Sequence, residues 1–250
     1  PQDLEIAIKT CNKIILDNGA FSFWTKKKSV NWAEYYQWVC KNYEKIDHFI
    51  IPDVIDGTEK ENDDLIVHFM KKVRFGYGFH HLYKKAIPVW HIDESFERLK
   101  NLMQHFSYIA FGSSGKYAQL GTEKWHDRMN EAMKIVCNKE GKPQVKIHML
   151  RCLNPKIFTK YPFYSGDSTN LARNHNRDGW QQILSRIEKY SSPKKYIFRK
   201  PIIVQISKKY RDEFPIITKY TQPFIDKHLS PYTEFYYSSK SMKKINKLGF

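Results

Sequence analysis

Several short apolar segments of the chain run directly into an acidic or imidazole side chain. Ile14-Ile15-Leu16 leads into Asp17-Asn18-Gly19-Ala20-Phe21, and Phe49-Ile50-Ile51-Pro52 into Asp53-Val54-Ile55-Asp56-Gly57. Ile87-Pro88-Val89-Trp90 leads into His91-Ile92-Asp93, and Tyr164-Ser165-Gly166 into Asp167-Ser168-Thr169-Asn170. An Asp just past a buried strand projects its carboxylate from the strand's C-terminal end, where α/β folds keep their chemistry. The recurrence points to one site assembled from several strand ends. Two carboxylates gathered there suit glycosyl chemistry, one as nucleophile and one moving protons. Other readings stay open on the residues alone: Asp17-Asn18-Gly19 is also ordinary turn chemistry, and Asp167 could cap the segment that begins at Asn170. Asp56, beside Gly57, reads better as an acid at a helix N-terminus.

The elements that would position these residues alternate. Apolar periodicity predicts helices over residues 4–12, 32–45, 59–73, 94–105 and 122–138, and strands over 13–16, 48–51, 86–90, 108–111 and 145–150. Strand followed by helix, repeated along the chain, is the pattern of a parallel sheet with right-handed crossovers. A closed ring gathers residues from many strand ends around one axis, whereas an open sheet gathers ligands only at its switch point. The expected fold is therefore α/β, a TIM-like (β/α)8 barrel, regular or incomplete, over residues 1–190. Past Asp178 the pattern changes: residues 180–190 look helical, residues 196–207 are β-rich, and the remainder is aromatic, basic and punctuated by proline. A boundary near residues 191–193 separates off a C-terminal region, 191–250, expected to pack on the barrel.

Charge narrows the partners. The chain carries a formal net charge of +16, and residues 191–250 hold 13 Lys or Arg against 4 Asp or Glu. In that region Lys194, Lys195, Arg199 and Lys200 alternate with Tyr and Phe, which suits a polyanion with stackable bases. No apolar run approaches the roughly 20 residues of a membrane span, and no signal-peptide pattern is present, so the expectation is a cytoplasmic protein with no membrane partner. Cys11, Cys40, Cys137 and Cys152 are far apart and show neither disulfide-framework nor zinc spacing. His80-His81, after Gly76 and Gly78, has no further ligands near it in sequence and reads as a loop. No cofactor or metal is expected.

Taken in order, the strand-end motifs resemble those of the tRNA-guanine transglycosylase superfamily. Asp17-Asn18-Gly19-Ala20-Phe21 is similar to its Asp-Ser-Gly-Gly-aromatic motif, and Asp53 stands where the family has a base-recognising Asp. His91 occupies a strand end where the family has Gln. Phe111-Gly112-Ser113-Ser114-Gly115 resembles its Gly-rich base-binding loop, and Met149-Leu150-Arg151 the following strand end. Asp167 stands where the family's nucleophile is expected. The resemblance covers residues 14–170. The chain departs from the tRNA enzymes in having no Cys after Cys152, hence no zinc site, and in having Asn18 and Ala20 in the first motif. It is more similar to the zinc-free phage and bacterial branch that inserts 7-deazaguanine bases into DNA.

That resemblance implies base exchange: guanine in DNA replaced by a free 7-deazaguanine derivative, on a single strand or a flipped-out base, in the host cytoplasm if the source is viral. It implies Asp167 as nucleophile, forming a covalent sugar ester, and Asp17 as the proton carrier. Asp53 would read the N1-H and exocyclic amine of the base, Asn18, His91, Gly112 and Ser113 the O6 side, and Phe21 would stack on the ring. Arg151 joins this substrate-binding set. A tRNA substrate is the nearest alternative. A glycoside hydrolase would explain the carboxylates but not the charge, and a non-catalytic nucleic-acid-binding protein the charge but not the carboxylates.

Overall fold

In the computed structural model, residues 4–75, 82–168, 181, 185 and 192–198 are described. Seven short strands lie among them: β1 (Ile15–Leu16), β2 (His48–Ile50), β3 (Ala86–Ile87), β4 (Val89–His91), β5 (Tyr108–Gly112), β6 (Lys146–Met149) and β7 (Ser165–Gly166). All pair in parallel, in the orders β1-β2-β3 and β4-β5-β6-β7. Between β3 and β4 stands only Pro88. Proline has no amide hydrogen for a ladder, so one extended segment is broken there into two. Its first half faces β2, with Ile51 N–H donating to Ile87 O at 2.8 Å, and its second faces β5, with Ala110 N–H donating to Pro88 O at 2.9 Å. The strands therefore follow chain order throughout, without the reversal that makes the switch point of a doubly wound sheet. Among the described residues neither sheet closes on itself.

Among the described residues eight continuous helices accompany the strands: α1 (Leu4–Thr10), α2 (Ala20–Thr25), α3 (Trp32–Lys41), α4 (Glu59–Phe75), α5 (Leu82–Lys85), α6 (Phe96–His105), α7 (Glu123–Val136) and α8 (Pro155–Phe158). Side-chain caps start several of them: Asn31 Oδ1 accepts from Ala33 N–H, Ser95 Oγ from Arg98 N–H and Thr122 Oγ1 from Trp125 N–H. The helix expected over 32–45 stops at Lys41 and gives way to a 3-10 turn at Tyr43–Lys45. The turn expected after Asp17 is a turn only at Gly19, whose φ of 75° suits glycine, and the chain then coils at once into α2.

Two-residue alternation sorts the strand side chains. Ile50, Ile87, Val89, Tyr108 and Ala110 form one buried cluster with Ile15 and Leu150 against it. Phe49, Trp90, Phe111, Ile109, Ile147 and Met149 point the other way and are fully buried beneath the helices; Phe49 packs edge-on against Phe69 of α4, and Trp90 stacks on Phe96 of α6. Burial of each such side chain contributes about 1.5–3 kcal/mol. On the first face the same alternation continues upward from Ile15 to Asp17, from Val89 to His91, from Ala110 to Gly112 and from Ser165 to Asp167. One period-2 pattern thus builds the core and aims the site residues above it.

The chain divides into two compact units, Pro1–Tyr196 and Ile197–Phe250, and all seven strands belong to the first. Tyr196 is tied into that unit: its N–H donates to Gly141 O at 2.7 Å, its ring stacks on Tyr161 and its hydroxyl donates to Asn130 Oδ1 at 2.6 Å. Arg199, Lys200, the His80-His81 pair, and the expected elements over residues 180–190 and from 199 onward lie outside the described residues, single positions apart.

Candidate active site

A pocket opens at the C-terminal ends of the strands. Asp17, Asn18, Phe21, Asp53, His91, Gly112, Ser113, Arg151 and Asp167, the whole catalytic and base-binding set expected from the sequence, all line it. Ile55, Ala118, Leu120 and Leu150 contribute apolar wall that the sequence did not single out.

The floor is a buried polar network. Asn18 donates from Nδ2 to Ile51 O at 2.8 Å and to Asp53 Oδ1 at 2.6 Å, while its Oδ1 accepts from Ala20 N–H at 2.8 Å. Both amide hydrogens are thereby committed, and Asn18 holds Asp53 in place from the pocket wall. His91 Nε2 lies 2.9 Å from Asp53 Oδ2, and Nδ1 lies 3.3 Å from Glu94 Oε1. Burial, with the side chain only 5% exposed, disfavours the imidazolium, yet hydrogen bonds to Asp53 and Glu94 outweigh it and raise the His91 pKa to about 9. As an imidazolium between two carboxylates, His91 also has both N–H groups engaged. Glu94 is held in turn by His91 N–H at 2.8 Å, by Asn62 Nδ2 at 3.1 Å and by Arg98 Nη1 at 2.5 Å. Arg98 reaches on to Asp63 at 2.8 Å and Val89 O at 2.9 Å. Two buried carboxylates thus meet two buried cations, and each Asp53 oxygen keeps one lone pair for a ligand.

Sequence reading missed Glu94, Asn62 and Arg98. They sit on helices or their leads, and the one signal available was the spacing Glu94-x-x-x-Arg98, an i,i+4 pair at a helix start.

The two remaining carboxylates differ. Asp17 is pushed above the ordinary carboxylate range by burial first, then by the charges of Asp167 and Asp53, with the Gly19 and Asn18 N–H groups opposing. Both carboxylates reach solvent, and the Asp167 side chain is 48% exposed. Its Oδ1 accepts from Arg151 N–H at 2.9 Å and lies 3.3 Å from His148 Nε2. Arg151 holds an unusual left-handed backbone, φ 57°, which aims that N–H at the carboxylate. His148 in turn contacts Ser165 Oγ through Nδ1 at 2.5 Å, and Ser165 contacts the Tyr108 hydroxyl at 2.5 Å. Gly166 fits beneath, where a Cβ would meet Cys152 O at 2.7 Å and the Phe158 ring.

Around the rim, the Arg151 guanidinium lies 3.5 Å above the centroid of the Phe21 ring, so one ring face is covered. Ser113 Oγ accepts the Trp125 indole N–H at 2.9 Å. Lys194 lies apart from all of these, in a cleft with Ser107, Val145, Lys146, Phe163 and Tyr164, residues that begin or precede β5, β6 and β7. Lys194 and its exposed neighbour Lys195 are thus at the opposite end of the strands from the pocket. Among the described residues no group of three His, Cys, Asp or Glu could hold a metal ion, and no helix is long and apolar enough to cross a membrane. The seven parallel strands and their helices define an α/β protein with a carboxylate-lined pocket at the strand ends. No family model, no curated protein and no solved structure matches the chain.

Proposed function

We propose that the protein is a (β/α)8-barrel-type base-exchange enzyme, a DNA-guanine transglycosylase that replaces guanine with a free 7-deazaguanine derivative through a covalent sugar–Asp167 ester. The observation that carries this reading is the contrast between Asp17 and Asp167. Both carboxylates line one pocket: Asp17 is biased toward its protonated form by desolvation and by the charges of Asp167 and Asp53, whereas Asp167 is held by N–H donation from Arg151. Environments that set two carboxylates apart define an acid and a nucleophile. The barrel-type fold is supported by strands that run parallel in unbroken chain order.

In the first half of the reaction an Asp167 oxygen attacks C1′ as the C1′–N9 bond breaks, and the leaving guanine takes the proton of Asp17 at the nitrogen that receives the electron pair. The incoming base then returns a proton to Asp17, its nitrogen attacks C1′ and the Asp167 ester breaks. Asp53, held by Asn18 and His91, accepts from the N1-H and amine edge. The Ser113 hydroxyl, which accepts from Trp125, has its own proton for the O6 side. C1′ is hidden within a duplex, so the target is a single strand or a flipped nucleotide. The test is to incubate the protein with an oligonucleotide and radiolabelled guanine, without nucleoside triphosphate. Label entering the polymer is expected; its absence would remove the reading.

A further inference from the structure

Beside the pocket, three planar groups form a ladder that leads outward. The Arg151 guanidinium sits 3.5 Å over Phe21. One helical turn further along α2, Trp24 packs on Phe21 with ring centroids 5.6 Å apart and planes tilted by 34°. Trp24 is 47% exposed, although it is a large apolar side chain, and its indole N–H is anchored on Asp56 Oδ2 at 2.5 Å. A half-exposed indole fixed at its polar edge offers a rigid face with little rotamer entropy left to lose. Immediately beyond it, Lys26, Lys27 and Lys28 are all exposed, and none forms an ion pair among the described residues. Lys27 adopts a left-handed backbone, φ 51°, which turns the chain back at the end of α2, with Lys28 N–H donating to Phe23 O at 3.0 Å. At 1.5 Å per residue the C-cap Lys26 stands about 7.5 Å beyond Phe21 along α2, the reach of one to two nucleotides.

We propose that α2 and its lysine turn form the track for the nucleic-acid strand, the base next to the target stacking on Trp24 and its phosphates meeting Lys26, Lys27 and Lys28. Stacking platforms interleaved with free cations are the chemistry of single-strand binding. The proposal rests on the base-exchange reading for its polymer, and it assigns that polymer to the pocket end of the strands. Lys194 and Lys195, at the other end, are about 13 Å or more away along β5 at 3.3 Å per residue.

The test is binding of a fluorescent single-stranded DNA oligonucleotide across a salt series, alongside calorimetric binding of free 7-deazaguanine. Trp24→Ala is expected to weaken the oligonucleotide about 5- to 150-fold, Trp24→Phe to restore most of that loss, and neither to change the free base. The triple variant Lys26→Gln, Lys27→Gln, Lys28→Gln is expected to flatten the slope of log K against log salt by about 0.7 for each phosphate that a lysine no longer neutralises. Lys194→Gln with Lys195→Gln is expected to leave both readouts as in the wild type. Wild-type binding with Trp24→Ala and the triple variant unaltered would overturn the track while leaving base exchange standing. A wild-type protein that binds no strand at all would overturn the polymer reading itself.

Discussion

His148 Nε2 stands 3.3 Å from the Asp167 carboxylate at the end of a chain that runs down through Ser165 to Tyr108. It is almost fully buried, whereas Asp167 is half exposed, so the rigid partner orients the exposed one. His148→Ala should lower kcat for base exchange roughly 100-fold by letting the nucleophile drift, with the KM for the free base little changed. His148→Gln, which can return a donor to the Nε2 position, should recover part of the rate. Steady-state kinetics of both variants check this, and equal loss in the two would show that packing, not the hydrogen bond, is what matters.

A pH-dependent stability follows from His91. Its pKa of about 9 in the folded protein lies above the ordinary 6.5, so its contribution is fully present below pH 6.5 and is lost as pH rises toward 9. The raised pKa corresponds to about 3 kcal/mol. Urea unfolding at pH 6 and pH 9.5 should show the wild type losing about that much more stability than His91→Gln over the same interval.

Asp17 gives a slope of the same sign in a more acidic window. Its folded-state pKa lies above the ordinary 3.8, so the folded state resists ionisation and stability falls as pH rises through that window. Asp17→Asn should therefore melt higher than the wild type at pH 7, with the difference closing below about pH 4. Base exchange by the same protein should drop by a factor of roughly 100 to 10,000, the ordinary worth of a positioned proton carrier. A variant that is neither stabilised nor slowed would place Asp17 outside the acid–base role.

The site was legible because strand-end carboxylates leave a local mark: a short strand segment closed by an Asp, with a Gly close by in sequence. Asp17, Asp53 and Asp167 all follow that form, and the fold brings them to one pocket. What a strand end needs from elsewhere leaves no such mark. Glu94, Asn62 and Arg98 hold His91 from helix starts and from a helix 30 residues upstream, and only tertiary packing brings them together. For the same reason the bonds that Asn18 and His91 make to Asp53 left no mark in the sequence, although both residues line the pocket as expected. The helix α2 was hidden because Asn18-Gly19 reads as a turn and five of the next six residues are aromatic or hydroxyl-bearing, poor helix formers on intrinsic preference. The interruption at Pro88 could have been read from the sequence, since proline breaks a ladder wherever it falls.

Gly166 sets the height of Asp167. An added Cβ would meet backbone Cys152 O at 2.7 Å and the Phe158 ring closer still, and the backbone cannot give way cheaply. Gly166→Ala should cost about 1–3 kcal/mol of stability in denaturant unfolding and lower exchange beyond what the lost stability explains. Full activity in a destabilised variant would separate the packing of β7 from the placement of the nucleophile.

The central claim is that Asp167 bonds covalently to the sugar. Wild-type protein incubated with single-stranded DNA and a slow-reacting deazapurine, then denatured, should carry an oligonucleotide that mass spectrometry maps to Asp167. Asp167→Asn and Asp167→Ala should yield no adduct and no exchange while melting as the wild type does. A denaturation-resistant adduct formed by Asp167→Asn, or exchange that survives its loss, would contradict the account.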